Sequence, residues 1–274
     1  MSRILVVDDD RATRLLIRGT LTTAGYAITV ATDGMEALKL LQTRRFDLML
    51  LDVWMPRMSG LDLLERLRNR KTRPRVVVMT SDDTPDTLLK AVRQQAFKYL
   101  HKPVEAATLL ATVGQALEAP NVAPIEVVSA RPDWVELVVP CTREAAGRLE
   151  GVMAHLDSDL APELRESMAH AFRELLLNSI EWGGKLDPGR TVRISYLRAR
   201  RMILYRIADP GPGFNIDQLP HAAIGQADPL AHMDVREAKG IRPGGFGLLT
   251  VQAAVDELLY NEKRNEVVFV KYLE

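Results

Sequence analysis

Residues 1 to about 118 alternate strand-length apolar runs with amphipathic helical stretches, and this alternation constrains the fold more than any other feature of the chain. The runs are Ile4 to Val7, Ala27 to Val30, Leu48 to Leu51, Val76 to Met79 and a short Tyr99-Leu100. Helical patterns fall between them at Arg11 to Ala24, Met35 to Thr43, Gly60 to Asn69, Pro85 to Gln94 and Glu105 to Leu117. Strands that are apolar throughout, each followed by a helix, predict a doubly wound α/β unit with five parallel strands and helices on both faces. In such a sheet the functional side chains gather beyond the carboxyl ends of the strands. The residues there are Asp8 and Asp9 after the first strand, Asp52 after the third, Thr80 after the fourth and Lys102 after the fifth.

Three carboxylates converging on one rim repel each other unless a cation lies among them, and Mg²⁺ favours oxygen ligands of this kind. One carboxylate can then act as a nucleophile toward a phosphoryl group. Lys102 supplies a point charge and Thr80 a hydroxyl donor for the product. Any one of these aspartates alone is more simply a helix cap. All five residues falling at strand ends, in order, make the set informative.

At 274 residues the chain has room for two domains. Lys plus Arg and Asp plus Glu each total 36, a balance that gives no footprint for nucleic acid or an anionic membrane surface. Arg198, Arg200 and Arg201 cluster at an expected hairpin turn and read as a solvated edge. The single cysteine, Cys141, leaves no internal disulfide framework, and it reads as structural. With no signal-like segment and no apolar run of membrane-spanning length, the expected location is the cytoplasm. Ala119 to Pro124 carries two prolines and reads as a stiff linker. The expected division is 1–118, a linker at 119–129, and a second domain at 130–274.

The second domain is read around a helix from Pro162 to Trp182, where Glu174 and Asn178 lie one turn apart on one face while Leu175, Leu176, Leu177 and Ile180 cover the other. An isolated E-x-x-x-N is usually a solvated pair. A strand at Trp134 to Val139 and a helix at Arg143 to Leu156 precede it, and strands at Thr191 to Leu197, Met202 to Ala208 and Val267 to Tyr272 follow. These predict an antiparallel or mixed sheet with helices on one face. The second of those later strands ends in Asp209-Pro210-Gly211-Pro212-Gly213-Phe214, where glycines admit a flat ligand and Asp209 can accept from an amino group such as that of adenine. A second glycine run, Gly240 to Gly247, precedes a helix at Leu248 to Leu258 and offers free amides to phosphate. Asp217 to Lys239, between the runs, reads as a lid.

On "ILVVDDD", "DLMLLDVWMPRMSGLDLL", "VVVMTSDD" and "YLHKP", residues 1 to 118 closely resemble the receiver domain of bacterial two-component response regulators, a flavodoxin-like fold. The resemblance implies that Asp52 accepts a phosphoryl group, that Asp8 and Asp9 bind Mg²⁺ with it, and that Thr80 and Lys102 contact the phosphoryl oxygens. It further implies that Tyr99 is a switch aromatic and that the Lys102-Pro103 bond is cis. Ser81 replaces a usual alanine. Trp54, two residues past the acceptor, either shields the phosphoaspartate from water or only packs on the surface.

On "ELLLNSIEWG", "DPGPGF" and "RPGGFGLLTVQAAVDEL", residues 130 to 274 resemble the GHKL ATPase domain (Bergerat type, a two-layer α/β sandwich), most of all the anti-sigma factor serine kinases. Like those kinases the chain leaves no room for a phosphorylatable histidine hairpin. The resemblance implies ATP and Mg²⁺ as cofactors, Asn178 as metal ligand, Glu174 as general base on a serine or threonine hydroxyl, and Asp209 as the adenine acceptor. Gly211 and Gly213 would shape that pocket, Gly245 and Gly247 cradle phosphates, and Arg242 reach the γ-phosphate. Trp182 stands where related kinases often have histidine. The expected protein is a response regulator whose Asp52 phosphorylation controls a serine/threonine kinase output. Its expected partners are an upstream sensor histidine kinase and a STAS-type anti-anti-sigma protein or sigma factor, with a homodimer left open. The alternatives are an ATP-binding switch that sequesters a partner without turnover, or an atypical histidine kinase using His155 or His170.

Overall fold

The structure, a computed structural model, describes residues 1–274 apart from 69, 71–72, 82–83, 120–122, 132, 158, 215–246 and 274. The chain divides into two compact units, Met1–Asn121 and Val122–Glu274.

The first unit runs β1 (Arg3–Val7), α1 (Arg11–Thr23), β2 (Ala27–Ala31), α2 (Gly34–Thr43), β3 (Leu48–Asp52), α3 (Gly60–Leu67), β4 (Arg75–Thr80), α4 (Pro85–Arg93), β5 (Lys98–His101) and α5 (Ala106–Glu118). All strand pairs are parallel, in the order β2-β1-β3-β4-β5. Alternate residues of the central strands feed two separate cores, because successive side chains of a strand point to opposite faces. Leu5, Val7, Met49, Leu51, Val76 and Val78 pack with Ala37, Leu63, Leu64 and Ala91 of α2, α3 and α4. Ile4, Val6, Leu48, Leu50, Val77 and Met79 pack with Ile17, Leu21, Leu109 and Val113 of α1 and α5. The helix starts are fixed locally. Asp10 accepts from Thr13 N at 2.7 Å and Asp33 from Glu36 N at 2.9 Å, and Ser59 and Asp62 form a reciprocal capping box.

The second unit runs β6 (Glu126–Arg131), β7 (Trp134–Pro140), α6 (Arg143–Leu156), α7 (Pro162–Asn178), a π turn (Ser179–Gly183), β8 (Thr191–Ala199), β9 (Met202–Ala208), α8 (Gly247–Ala254), β10 (Glu257–Tyr260) and β11 (Glu266–Tyr272). Its six described strands are all antiparallel, in the order β10-β11-β9-β8-β7-β6. Alternate residues of the central strands are buried: Val135, Leu137 and Val139; Val192, Ile194 and Tyr196; Ile203, Tyr205 and Ile207. Tyr205 joins the sheet to the helices, its ring 4.8 Å from Phe269, 5.0 Å from Tyr196 and 5.2 Å from Phe172 of α7.

Four details depart from the sequence reading. The expected single strand before α6 is a pair, because β6 hydrogen-bonds along the edge of β7 with a register shift between Val127 and Ser129. The helix expected to reach Leu258 stops at Ala254, since Glu257–Tyr260 pairs with β11. The helix expected to reach Trp182 ends as α-helix at Asn178 and continues as the π turn, closed by Gly184 N on Ser179 O at 2.8 Å. Arg198 is not a solvated edge residue. Arg200 and Arg201 are exposed, but Arg198 turns inward, with Nη2 2.8 Å from Asp159 and Nη1 4.0 Å from the buried Asp157.

Candidate functional site

The five residues singled out in the first unit converge at one end of its sheet. Asp8 is fully buried, Asp52 nearly so and Asp9 exposed, and carboxylate oxygens of the three lie within 4.8 Å of one another. Lys102 Nζ sits between two of them, 2.7 Å from Asp8 Oδ2 and 2.6 Å from Asp52 Oδ2. The remaining oxygens are oriented by backbone amides: Asp10 N donates to Asp8 Oδ1 at 2.9 Å and Trp54 N to Asp52 Oδ1 at 3.3 Å. Thr80 is fully buried, and its carbonyl accepts from Lys102 N at 2.8 Å, which holds the two residues side by side. The Lys102-Pro103 bond is cis.

Burial pushes the Asp52 carboxyl above the ordinary carboxylate range, while the hydrogen bond and charge of Lys102 pull it back. For Lys102, burial works to lower the ammonium, but the bonds and charges of Asp52 and Asp8 outweigh it and the net shift is upward. A compact, partly desolvated group of three carboxylates is a donor set that suits a hard divalent cation. Gly60, at the start of α3, lies so close to the acceptor's backbone that a Cβ would collide with Asp52 O. Tyr99 is half-buried and packs against the core on the α2/α3 face. Trp54, whose backbone amide binds Asp52, is 57% exposed, so its side chain lies at the surface and not in the core. Sequence reading missed the loop clip on the same rim, where Arg57, at positive φ, pairs with the buried Asp33 that caps α2.

In the second unit the site is assembled around the C-terminal end of α7. Leu175, Leu176, Leu177 and Ile180 are buried, which leaves Glu174 and Asn178 half-buried on the other side. Each end of this stretch touches one of the two glycine segments. At the first, Gly247 opens α8 directly against Glu174: a Cβ at Gly247 would collide with Glu174 Oε2. At the second, Gly183 of the π turn lies against Asp209, whose Oδ1 a Cβ there would strike. A π turn inserts an extra residue into a helix and often marks a functional position.

The Asp209 loop is held rigidly. Asp209 Oδ1 accepts from Gly211 N at 2.7 Å, and Asp209 N donates to Asn265 O at 2.8 Å. Asn265 Nδ2 reaches the carbonyls of Asp209 and Gly211 at 3.3 and 3.2 Å. Gly213 adopts φ of 84°, with the carbonyl of Lys263 where a side chain would be. Burial raises the Asp209 carboxyl, opposed by the Gly211 amide and by the charge of Arg190. Cys141 is buried against Gly184, and burial pushes its thiol up to about 11, so it is an inert packing group. His170 is exposed on α7, and Arg190 and Asn265 were missed from sequence because neither belongs to a motif. Arg242, Gly245 and the expected lid at 217–239 lie outside the described residues.

The comparisons with known proteins divide the chain in the same order. The family model for the response regulator receiver domain matches residues 4–114, and that for the histidine kinase-like ATPase domain matches residues 141–271. The response regulator MprA of Mycobacterium sp. (strain KMS) is 41% identical over 109 residues, which cover 40% of this chain and 47% of that protein. MprA of Mycobacterium leprae (strain TN) is 36% identical over 146 residues, 53% of this chain and 63% of that protein. The chain thus spans about half the length of such curated relatives. The chemotaxis response regulator CheY4 of Vibrio cholerae, a solved structure, is 33% identical over 43% of this chain and 99% of its own, with a TM-score of 0.41. No helix among the described residues is long and apolar enough to cross a membrane. The five-stranded parallel unit is a response regulator receiver domain, and the antiparallel unit that follows it is a histidine kinase-like ATPase domain.

Proposed function

We propose that this two-component response regulator uses its ATPase-type output domain as a serine/threonine protein kinase of the partner-switching kind, controlled by phosphorylation of Asp52. The observation that carries the kinase reading is the placement of Glu174: a carboxylate held at the mouth of α8 by contact with Gly247 and one turn from Asn178. A helix start stabilises phosphate through free amides and the helix dipole, and a carboxylate beside it is placed to take a proton from an attacking hydroxyl.

In the receiver, Asp52 is the nucleophile for a phosphoryl group delivered by an upstream sensor histidine kinase. Asp8, Asp9 and Asp52 would hold Mg²⁺, which when bound neutralises charge on the transferring phosphoryl group. Lys102 then exchanges its contact with Asp52 for one with a phosphoryl oxygen, Thr80 donates to another, and Tyr99 follows Thr80 inward. In the output domain Asp209 accepts from the adenine amino group between Gly211 and Gly213. Asn178 would hold the nucleotide's Mg²⁺, Gly247 lines the phosphates, and Glu174 is the general base, while the phosphate roles of Gly245 and Arg242 rest on the sequence motif alone. The acceptor is a hydroxyl on a small STAS-type regulator.

The test is transfer of radiolabel from γ-labelled ATP to a purified STAS-type protein, with and without beryllofluoride on the receiver. Label stable to acid, changed in rate by beryllofluoride and absent in Glu174→Ala with ATP binding retained, is the expected result. Label on no hydroxyl while ATP still binds would leave a switch that sequesters its partner without turnover. Acid-labile label on His155 or His170 would make the protein a histidine kinase.

A further inference from the structure

The candidate base pocket has two walls from separate parts of the chain, and one side chain joins them. Arg190 closes the turn before β8: its N donates to Asp187 O at 3.0 Å, Gly189 N donates to Asp187 Oδ1 at 2.8 Å, and its own carbonyl accepts from Cys141 N at 2.9 Å. From that fixed root the guanidinium reaches both walls. Nη1 donates to Gly183 O in the π turn and Nη2 to Pro210 O in the Asp209 loop, each at 3.1 Å.

We propose that Arg190 is a positioning residue of the nucleotide-base site, a clamp that fixes the π turn against the Asp209 loop and so sets the preference for a base carrying an amino group at that place. The inference rests on the ATP reading of the site and adds a residue outside all three glycine or asparagine motifs. Two donors in a rigid fork can span two carbonyls, which a lysine ammonium does less well. The cation has a second effect. Asp209 is raised by burial and lowered by Arg190, and the ionised carboxylate, an acceptor at both oxygens, accepts from an amino donor more strongly than the protonated acid does. The other titratable groups nearby, the Cys141 thiol and the Asp187 carboxyl, share these surroundings, and the thiol stays neutral below pH 8.

Calorimetric titration of the full chain with ATP and with GTP, from pH 5.5 to 8, separates the two effects. The wild type is expected to favour ATP with a nearly flat pH profile. Arg190→Ala should bind ATP roughly tenfold more weakly, the loss of about one charge-assisted hydrogen bond, and discriminate less against GTP. Arg190→Gln keeps donors without charge and should weaken further as pH falls, whereas Arg190→Lys keeps the flat profile with reduced discrimination. If Arg190→Ala does not fold, the Gln and Lys variants decide the matter. Gln and Lys variants with the affinity, ATP/GTP ratio and pH profile of the wild type would overturn the clamp. A wild-type chain that binds no ATP at any pH would instead overturn the ATP reading beneath it.

Discussion

The receiver and the ATPase domain bring their polar residues together by opposite means. In the receiver, parallel strands end side by side, so Asp8, Asp52, Thr80 and Lys102 meet because the sheet aligns them, and one half-buried ammonium holds two carboxylates. In the ATPase domain only Asp209 comes from a strand end, that of β9, and no row of parallel strand ends assembles the site. The C-terminal end of α7 presents its polar residues to two loops, and backbone approaches too close for any Cβ hold the parts in register. The first site is held by charge and the second by shape, so different substitutions should break them.

The largest effect is expected at Lys102. Lys102→Ala leaves Asp8 and Asp52 buried without their cation, at a cost of about 4 kcal/mol near neutral pH. The sign with pH follows from the shifts. Lys102 is raised on folding, so its stabilisation is present throughout the neutral range and is lost only as pH rises through its folded value. Asp52 is already raised, and without the lysine it rises further, so the variant's folded state takes up protons more readily than the unfolded chain. The gap between variant and wild type should therefore narrow on acidification toward pH 4, as read from urea midpoints, and a gap independent of pH would contradict a charge-held site.

Next in size is Gly213→Ala. It demands positive φ from an alanine and drives a methyl into Lys263 O, in a turn already fixed by Asn261 and Asn265, and should cost about 3 kcal/mol together with most ATP binding. Unchanged ATP affinity would show that shape does not hold this site.

A smaller effect tests the cores. The receiver's buried carboxylates, Asp8, Asp33 and Asp52, lie at its strand-end rim, whereas the ATPase domain buries Asp157, which accepts from Tyr196 OH at 2.8 Å and Tyr205 OH at 2.6 Å. Asp157→Asn keeps one acceptor for two tyrosine hydroxyls, leaving one buried O–H without its acceptor, and should cost about 2 kcal/mol, measured by chemical denaturation with the receiver transition unmoved. The smallest change, Trp54→Asn, should leave stability alone and speed dephosphorylation of Asp52 several-fold if the exposed ring shields the phosphoaspartate. An unchanged rate assigns the ring to surface packing.

The receiver's site was legible in the sequence because strand order and site order coincide: each polar residue lies within two positions of the end of an apolar run, and a parallel sheet must gather such positions. The ATPase site was legible only in fragments. Glu174, Asn178 and Asp209 announce themselves through motifs, but Arg190 and Asn265 carry no local pattern, since their importance lies in which carbonyls they reach. β6 and β10 escaped for a related reason. Both are edge strands, and pairing with β7 and β11 decides a conformation that their own residues specify weakly.

The sequence alone determined two α/β units, the rim of aspartates in the first and the presence of glycine segments in the second, because hydrophobic period and backbone permissiveness are local properties. Only the tertiary structure decided that Lys102 bridges Asp8 and Asp52, that α7 ends in a π turn bearing Gly183 against Asp209, and that Gly247 stops at the carboxylate of Glu174. Those are contacts between residues far apart in the chain, set by how elements pack, and no local pattern encodes a distance across a core.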